Sequence, residues 1–286
     1  MSASAAESWS DIATQEDGNF DINDCVIGIS AFLAGNANVI MQLSQPPVGY
    51  GVVESKVHSG SALLHPFKRL RTTLTYLAVA LIGTDDDRRV YREAVNRQHR
   101  QVRSSADSPV SYNAFDPRLQ LWVAACLFVG FEDILTKMYG PLDRATADAL
   151  YRECERLGTT LQVRADMWPA DRQAFQRYWH ETFATASIDD TVRDYLMKIV
   201  DLRLLPWPLR LSFARMHRFV TTGFLPPELR DQMRLSWSTG QQRRFDAMLR
   251  VIGAVSARSP RAVRQFPFNF YLWDMRRRVA RGRALV

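Results

Sequence analysis

His99 is the side chain with the most chemistry to offer in this sequence. Tyr91, Val95, His99 and Val102 are spaced four, four and three apart, so they fall on one face of an α-helix, and that face is otherwise apolar or aromatic. An imidazole turned inward has two uses: it hydrogen-bonds within the core, or it ligates a metal or a haem iron. Arg69 and Thr73, four residues apart, project together from another helix. A guanidinium beside a hydroxyl suits a propionate or an iron-bound oxygen species, and it suits an ordinary helix surface equally well. His58 lies in a polar loop ahead of the Arg69 segment and is a candidate pocket residue. His65 precedes Pro66 in a turn, and His180 and His217 sit in helical segments beside charged residues.

Several common sites are excluded. The sequence has no glycine-rich phosphate loop, no pair of histidines at zinc-binding helical spacing, and no glycine-flanked nucleophilic serine. No glycine-rich cysteine loop is present to give a thiolate to haem iron. Cys25, Cys126 and Cys154 form no close pair, and an odd count without an export signal fits the reducing cytoplasm. The net charge of +7, dominated by arginine, permits contact with nucleic acid, acidic membrane or anionic cofactors without selecting among them. With 47% hydrophobic and 23% charged residues, the chain has enough apolar side chains for a large core.

The elements that must position these residues read as helices, because apolar side chains recur at helical spacing in nearly every segment after Asp21. The expected architecture is all-α: a flexible polar tail over 1–21, one large helical domain over 22–275 and a basic end over 276–286, where Arg276, Arg277, Arg278, Arg281 and Arg283 gather. A first helix is expected over 22–43, stopped by Pro46-Pro47, with a glycine-marked connection through Gly49, Gly51 and Gly60. Leu70, Leu74, Leu77 and Leu81 mark a second helix ending at Gly83. Thr84 followed by Asp85-Asp86-Asp87 is a cap with an acidic first turn, which starts the His99 helix. A polar loop spans 104–112, and Asp116-Pro117 opens a strongly apolar central helix. Further helices are expected over 145–157, from Pro169 through Phe183, and over 190–202, 209–221, 227–235 and 240–257. The longest apolar runs, 76–83 and 121–131, are too short to span a bilayer and read as buried helices.

In order along the chain, Gln42, Pro47, Gly51-Val52 and Pro66-Phe67-Lys68-Arg69-Leu70-Arg71-Thr72-Thr73 lead to His99 with Val102, and then to Tyr112-Asn113-Ala114-Phe115-Asp116-Pro117. Leu204-Leu205-Pro206, Leu225-Pro226-Pro227-Glu228-Leu229-Arg230 and Trp237-Ser238 follow. This series resembles the family of the latex-clearing rubber oxygenases and the mpaB-type oxygenases, over residues 32–278. The resemblance implies an all-helical fold around a b-type haem, with His99 as proximal iron ligand and Arg69 and Thr73 as haem-pocket residues. Rubber-cleaving members carry a lysine before the motif threonine, where this chain has Thr72. They also use a distal carboxylate as base, for which Glu54 is the nearest match, and often a glycine after the valine, where Arg103 stands.

The leading expectation is therefore a cytoplasmic haem b oxygenase acting with dioxygen on an unknown apolar substrate, with Glu54 or His58 moving protons. A haem- or small-ligand-binding sensor or carrier without turnover is the alternative. A nucleic-acid-associated protein is suggested only by charge, since no helix-turn-helix or aromatic-basic interleaving supports it.

Overall fold

The computed structural model describes residues 20–57 and 60–286, so most of the expected tail lies outside the described residues. The helices in chain order are α1 (Ile22–Cys25), α2 (Ser30–Leu43), α3 (Pro46–Val53), α4 (Pro66–Ile82) and α5 (Asp85–His99). They continue as α6 (Pro117–Tyr139), α7 (Arg144–Cys154), α8 (Arg156–Thr159), α9 (Arg172–Phe183) and α10 (Asp190–Val200). The last are α11 (Trp207–Phe224), α12 (Pro227–Gln232), α13 (Thr239–Ala257), α14 (Arg261–Arg264) and α15 (Phe268–Ala280). The described residues hold no β-strand; Arg103 and Asn113 form an isolated antiparallel bridge. The protein is all-α, as its periodicity requires.

Helix α6 is central. Asp116 accepts a hydrogen bond from the Arg118 amide, Pro117 takes the first turn, and Gly140 ends the helix at a φ of 95°, a conformation other residues avoid. It buries Trp122, Phe128, Ile134 and Leu135 and packs against α2, α8 and α13. Gly130 is required where α2 crosses: Asn38 donates to the Cys126 carbonyl at 2.5 Å, and a Cβ on residue 130 would collide with that amide. By length and composition α6 is long enough to cross a membrane, contrary to the short runs read from the sequence, although half of its apolar window is buried inside the protein.

Four breaks differ from the sequence expectations, the first being that the helix expected over 145–157 divides at Glu155 into α7 and α8. The helix expected over 22–43 is two helices, because Gly28 donates to the Arg264 carbonyl at 2.7 Å and lies flush against the Phe266 backbone. Pro46 opens α3 instead of only ending α2, so Gly49 and Gly51 are helical. Pro169 stands outside α9, which Asp171 caps through the Ala174 amide.

Arg276, Arg277 and Arg278 lie in α15, whose Phe268, Leu272 and Met275 are buried and which packs extensively on α4, while Arg281 and Arg283 follow it. Arg276 pairs with the buried Asp87 at 2.7 Å, and Leu285 beyond the helix is buried as well.

Candidate functional site

Helices α4 and α5 form an antiparallel hairpin joined by Gly83 and Thr84. Thr84 caps α5 with a reciprocal box: its hydroxyl accepts from the Asp87 amide at 3.2 Å, and the Asp87 carboxylate accepts from the Thr84 amide at 2.9 Å. At about 1.5 Å per residue, Arg69 and His99 each lie about 20 Å from this turn, so the hairpin brings them level at its open end. Tyr91 fastens the two helices by donating to the Thr72 carbonyl at 2.7 Å.

The Arg69 guanidinium is close enough for its charge to act on His99, Tyr91 and Tyr195 of α10. Burial, joined by that cation, depresses the His99 pKa from 6.5 to about 4, so the ring is neutral at physiological pH. Its Nδ1 is buried and has no hydrogen-bond partner among the described residues. Phe115 meets the ring edge-on at 6.3 Å between centroids. His99 is the last residue of α5, so Val102 does not continue the helical face; its amide instead donates back to the His99 carbonyl at 3.0 Å.

The loop after His99 returns on itself. Ser104 donates to the Tyr112 carbonyl at 2.9 Å, and Ala114 to the Val102 carbonyl at 2.9 Å, which holds Phe115 beside the histidine. Tyr112 donates its hydroxyl to Glu54 at 3.0 Å, across from the end of α3. Gly51 lies 3.3 Å beneath the Tyr112 ring by the place a Cβ would occupy, so a glycine there lets the ring seat closely. Burial and the Glu54 carboxylate push the Tyr112 phenol up to about 12. Glu54 and Tyr112 line a cavity of about 260 Å³ together with Lys56, Gln101, Val102 and Arg103.

The structure thus joins Arg69 to His99, and joins Glu54 to the loop that follows His99. Thr73 is half-buried one turn beyond Arg69 on α4. His58 lies outside the described residues. Of the other described histidines, His65 and His180 are exposed, and His217 donates through Nδ1 to the Val200 carbonyl at 2.9 Å. Tyr195 was not visible as a site residue in the sequence, since only the folding of α10 against the hairpin brings it near Arg69. Phe115 was readable within the Tyr112–Pro117 motif, but nothing in its spacing tied it to His99. The Thr72 hydroxyl donates to the Arg69 carbonyl at 2.9 Å and is turned back on its own helix.

An all-helical protein with a neutral, unpartnered imidazole beside an arginine at one end of a helical hairpin defines a class of single-histidine sites. Residues 26–254 match the family model of the ER-bound oxygenase mpaB/B'/rubber oxygenase catalytic domain, and the chain belongs to that family. It is also 55% identical, over 250 residues, to uncharacterized proteins of Mycobacterium tuberculosis and Mycobacterium bovis; the alignments cover 87% of this chain and 98% of each relative. No solved structure matches the chain significantly.

Proposed function

We propose that this chain is a haem b-dependent oxygenase that uses dioxygen on a small apolar substrate and holds the haem through His99. Membership of an oxygenase family supports the reaction class. The observation that carries the assignment is the His99 ring: among the described histidines, only this one combines burial, neutrality and an unpaired buried nitrogen. A native protein rarely leaves a buried polar atom unpaired without a reason. Among the described residues no group of three His, Cys, Asp or Glu side chains gathers to hold a bare ion. A single imidazole would suit a porphyrin, which supplies the other nitrogens itself, and His99 would be the residue to hold it.

Haem b, when bound, supplies an iron able to bind dioxygen and exchange electrons with it. The chain does the rest. His99 presents a neutral nitrogen without first losing a proton, because its pKa already lies well below physiological pH. Arg69, permanently charged, would neutralise an anionic propionate. Leu64, Phe67 and Leu70 leave apolar side chains exposed just before and within the first turns of α4, which would match the apolar face of a macrocycle or substrate. Thr73, on the same face of α4, offers a hydroxyl that both donates and accepts. Glu54 acts as base, with the Tyr112 phenol as its proton-bearing neighbour, since a phenol near pKa 12 keeps its proton at neutral pH. The three buried, unpaired cysteines suit a reducing cytoplasm.

The test is the absorption spectrum of the purified protein reconstituted with haem. A Soret band is expected in the parent, in His180→Ala and in His217→Ala, and its loss or marked weakening in His99→Ala. Equal Soret bands in all four proteins would remove His99 as ligand. Oxygen uptake with candidate lipids or terpenoids then separates turnover from mere ligand carriage.

A further inference from the structure

The surface carried by α15 has no role in the site just described. Phe266, Phe270 and Trp273 are spaced four and three apart and are 59%, 45% and 52% exposed. Their rings touch in series, at 6.3 Å between Phe266 and Phe270 and 5.8 Å between Phe270 and Trp273. Arg277, one turn further along, lies over the Trp273 ring at 5.2 Å. The patch widens on both sides. Exposed Val263 precedes Phe266, and exposed Ile29 and Phe32 follow Gly28, whose backbone packs against that of Phe266. The opposite face of α15 is the buried one, so this stripe is a second, outward apolar face on a single helix.

Charge surrounds the stripe with one sign. Residues 247–286 contain nine arginines and a single acidic residue, Asp274. Asp274 is paired with Arg278, and Arg261, Arg264 and Arg276 reach Asp21, Asp24 and Asp87. Arg250, Arg258, Arg277, Arg281 and Arg283 are exposed and make no ion pair among the described residues. Arg277 and Arg281 extend the aromatic line itself, four residues apart.

From this juxtaposition we propose that the Phe266–Phe270–Trp273 face, with Arg277 and Arg281, is a peripheral binding surface for anionic lipid bilayers. The amphipathic Trp273 indole settles at the boundary between headgroups and acyl chains and the apolar Phe266 and Phe270 rings insert beside it, while the arginines meet lipid phosphates and acidic headgroups. A second copy of the chain fits poorly, because a two-fold interface here would set the unpaired arginines of one copy against those of the other. A peptide ligand fits poorly too, since these residues line neither the cavity near Glu54 nor the one between α2 and α11, either of which could receive an anchoring side chain. The inference does not depend on haem, and none of its residues belongs to the His99 site.

The experiment is co-sedimentation of the full chain with sucrose-loaded vesicles. Mixed phosphatidylglycerol and phosphatidylcholine vesicles are expected to bind it, and phosphatidylcholine alone much less. Binding should weaken steeply with salt, as the screening length contracts from about 10 Å at 0.1 M toward about 3 Å at 1 M. Each arginine near an anionic surface is worth about fivefold in partitioning, so Arg277→Ala with Arg281→Ala should reduce binding about 25-fold. Phe270→Ser with Trp273→Ala should reduce it at every salt concentration, with the far-ultraviolet dichroism of both double variants unchanged. Absence of binding by the parent at low salt overturns the proposal, as does binding that neither double variant alters. A parent that is dimeric by light scattering, with the aromatic variant monomeric, overturns it in favour of contact between copies.

Discussion

Replacing His99 by leucine should make the haem-free protein more stable, not less. At neutral pH the ring carries no charge, because burial and the Arg69 cation hold its pKa near 4, so no charge is being buried. The cost lies in Nδ1, a polar atom stripped of water and given no partner. Such an atom costs about 1–3 kcal/mol, and an apolar side chain of similar volume removes that cost. Imperfect packing of leucine against the edge-on Phe115 ring takes back about 1 kcal/mol. The net gain is about 1 kcal/mol, which moves the melting temperature of a large domain by about 2–4 °C.

Acid adds a second signature of the same substitution. The folded pKa lies below the unfolded value of 6.5, so between 6.5 and about 4 the unfolded chain binds a proton that the folded one does not. The stability contributed by the neutral ring is complete above 6.5 and is lost as pH falls toward 4, to a limit of about 3 kcal/mol. His217, also depressed by burial, adds to the acid slope of both proteins and cancels in the comparison. Urea unfolding of haem-free parent and His99→Leu at pH 7.5 and pH 5 measures both effects. The variant should be slightly more stable at the higher pH, and the advantage should grow at the lower. A variant less stable than the parent at both values would show that the imidazole holds the fold together, and the argument for a vacant functional nitrogen would fail.

Gly28→Ala should destabilise the protein by about 2–3 kcal/mol in urea, because its Cβ would have to displace the Phe266 backbone and not a flexible side chain; a loss within about 0.5 kcal/mol would mean that this crossing yields easily. Cys25, Cys126 and Cys154 are all buried, and burial raises each thiol pKa, so none should react with a thiol reagent in the native protein while all three react in denaturant. Fast labelling of any of them under native conditions, followed by mass spectrometry, would mark a local opening absent from this fold.

What the sequence disclosed and what it hid divide along the range of the forces involved. Thr84 and Asp116 were readable as caps because a cap satisfies amides two or three residues away. The break at Gly28 was not, because it is caused by residues 264–267, almost the whole chain away. Pro46 shows a different difficulty, since a proline that ends one helix suits the first turn of the next, and only the backbone path tells which happens. Helix α15 was masked by its own charge: the arginine run reads as a solvated end, although Phe268, Leu272 and Met275 already carry the four-and-three spacing of a buried face. The approach of Arg69 to His99 follows from two helices of similar length joined by a short turn, which makes this half of the site derivable once the caps are placed. Glu54 could be suggested only by resemblance, and its geometric link runs through Tyr112 and the returning loop, neither of which announces a partner in the sequence.

The energetics of the hairpin end also bear on which chemistry the chain favours. A cation placed beside a buried imidazole does not help the fold, since it joins burial in forbidding the ring a proton. Folding alone would be better served by an apolar pair at this level, and positions where local choices run against stability are where function is expected. Thr72 completes the contrast. At the position where rubber-cleaving relatives are expected to carry lysine, this chain has a hydroxyl already donated to the Arg69 carbonyl, with no amine to offer toward the space beside His99. Arg69 is left as the charged group of that helix face, and its nitrogens only donate. A guanidinium suits an anionic group where a lysine amine suits a metal, so on the proposed reading Arg69 would meet a carboxylate. On the proposed reading, the exposed Leu64, Phe67 and Leu70 would favour an apolar substrate at the start of α4.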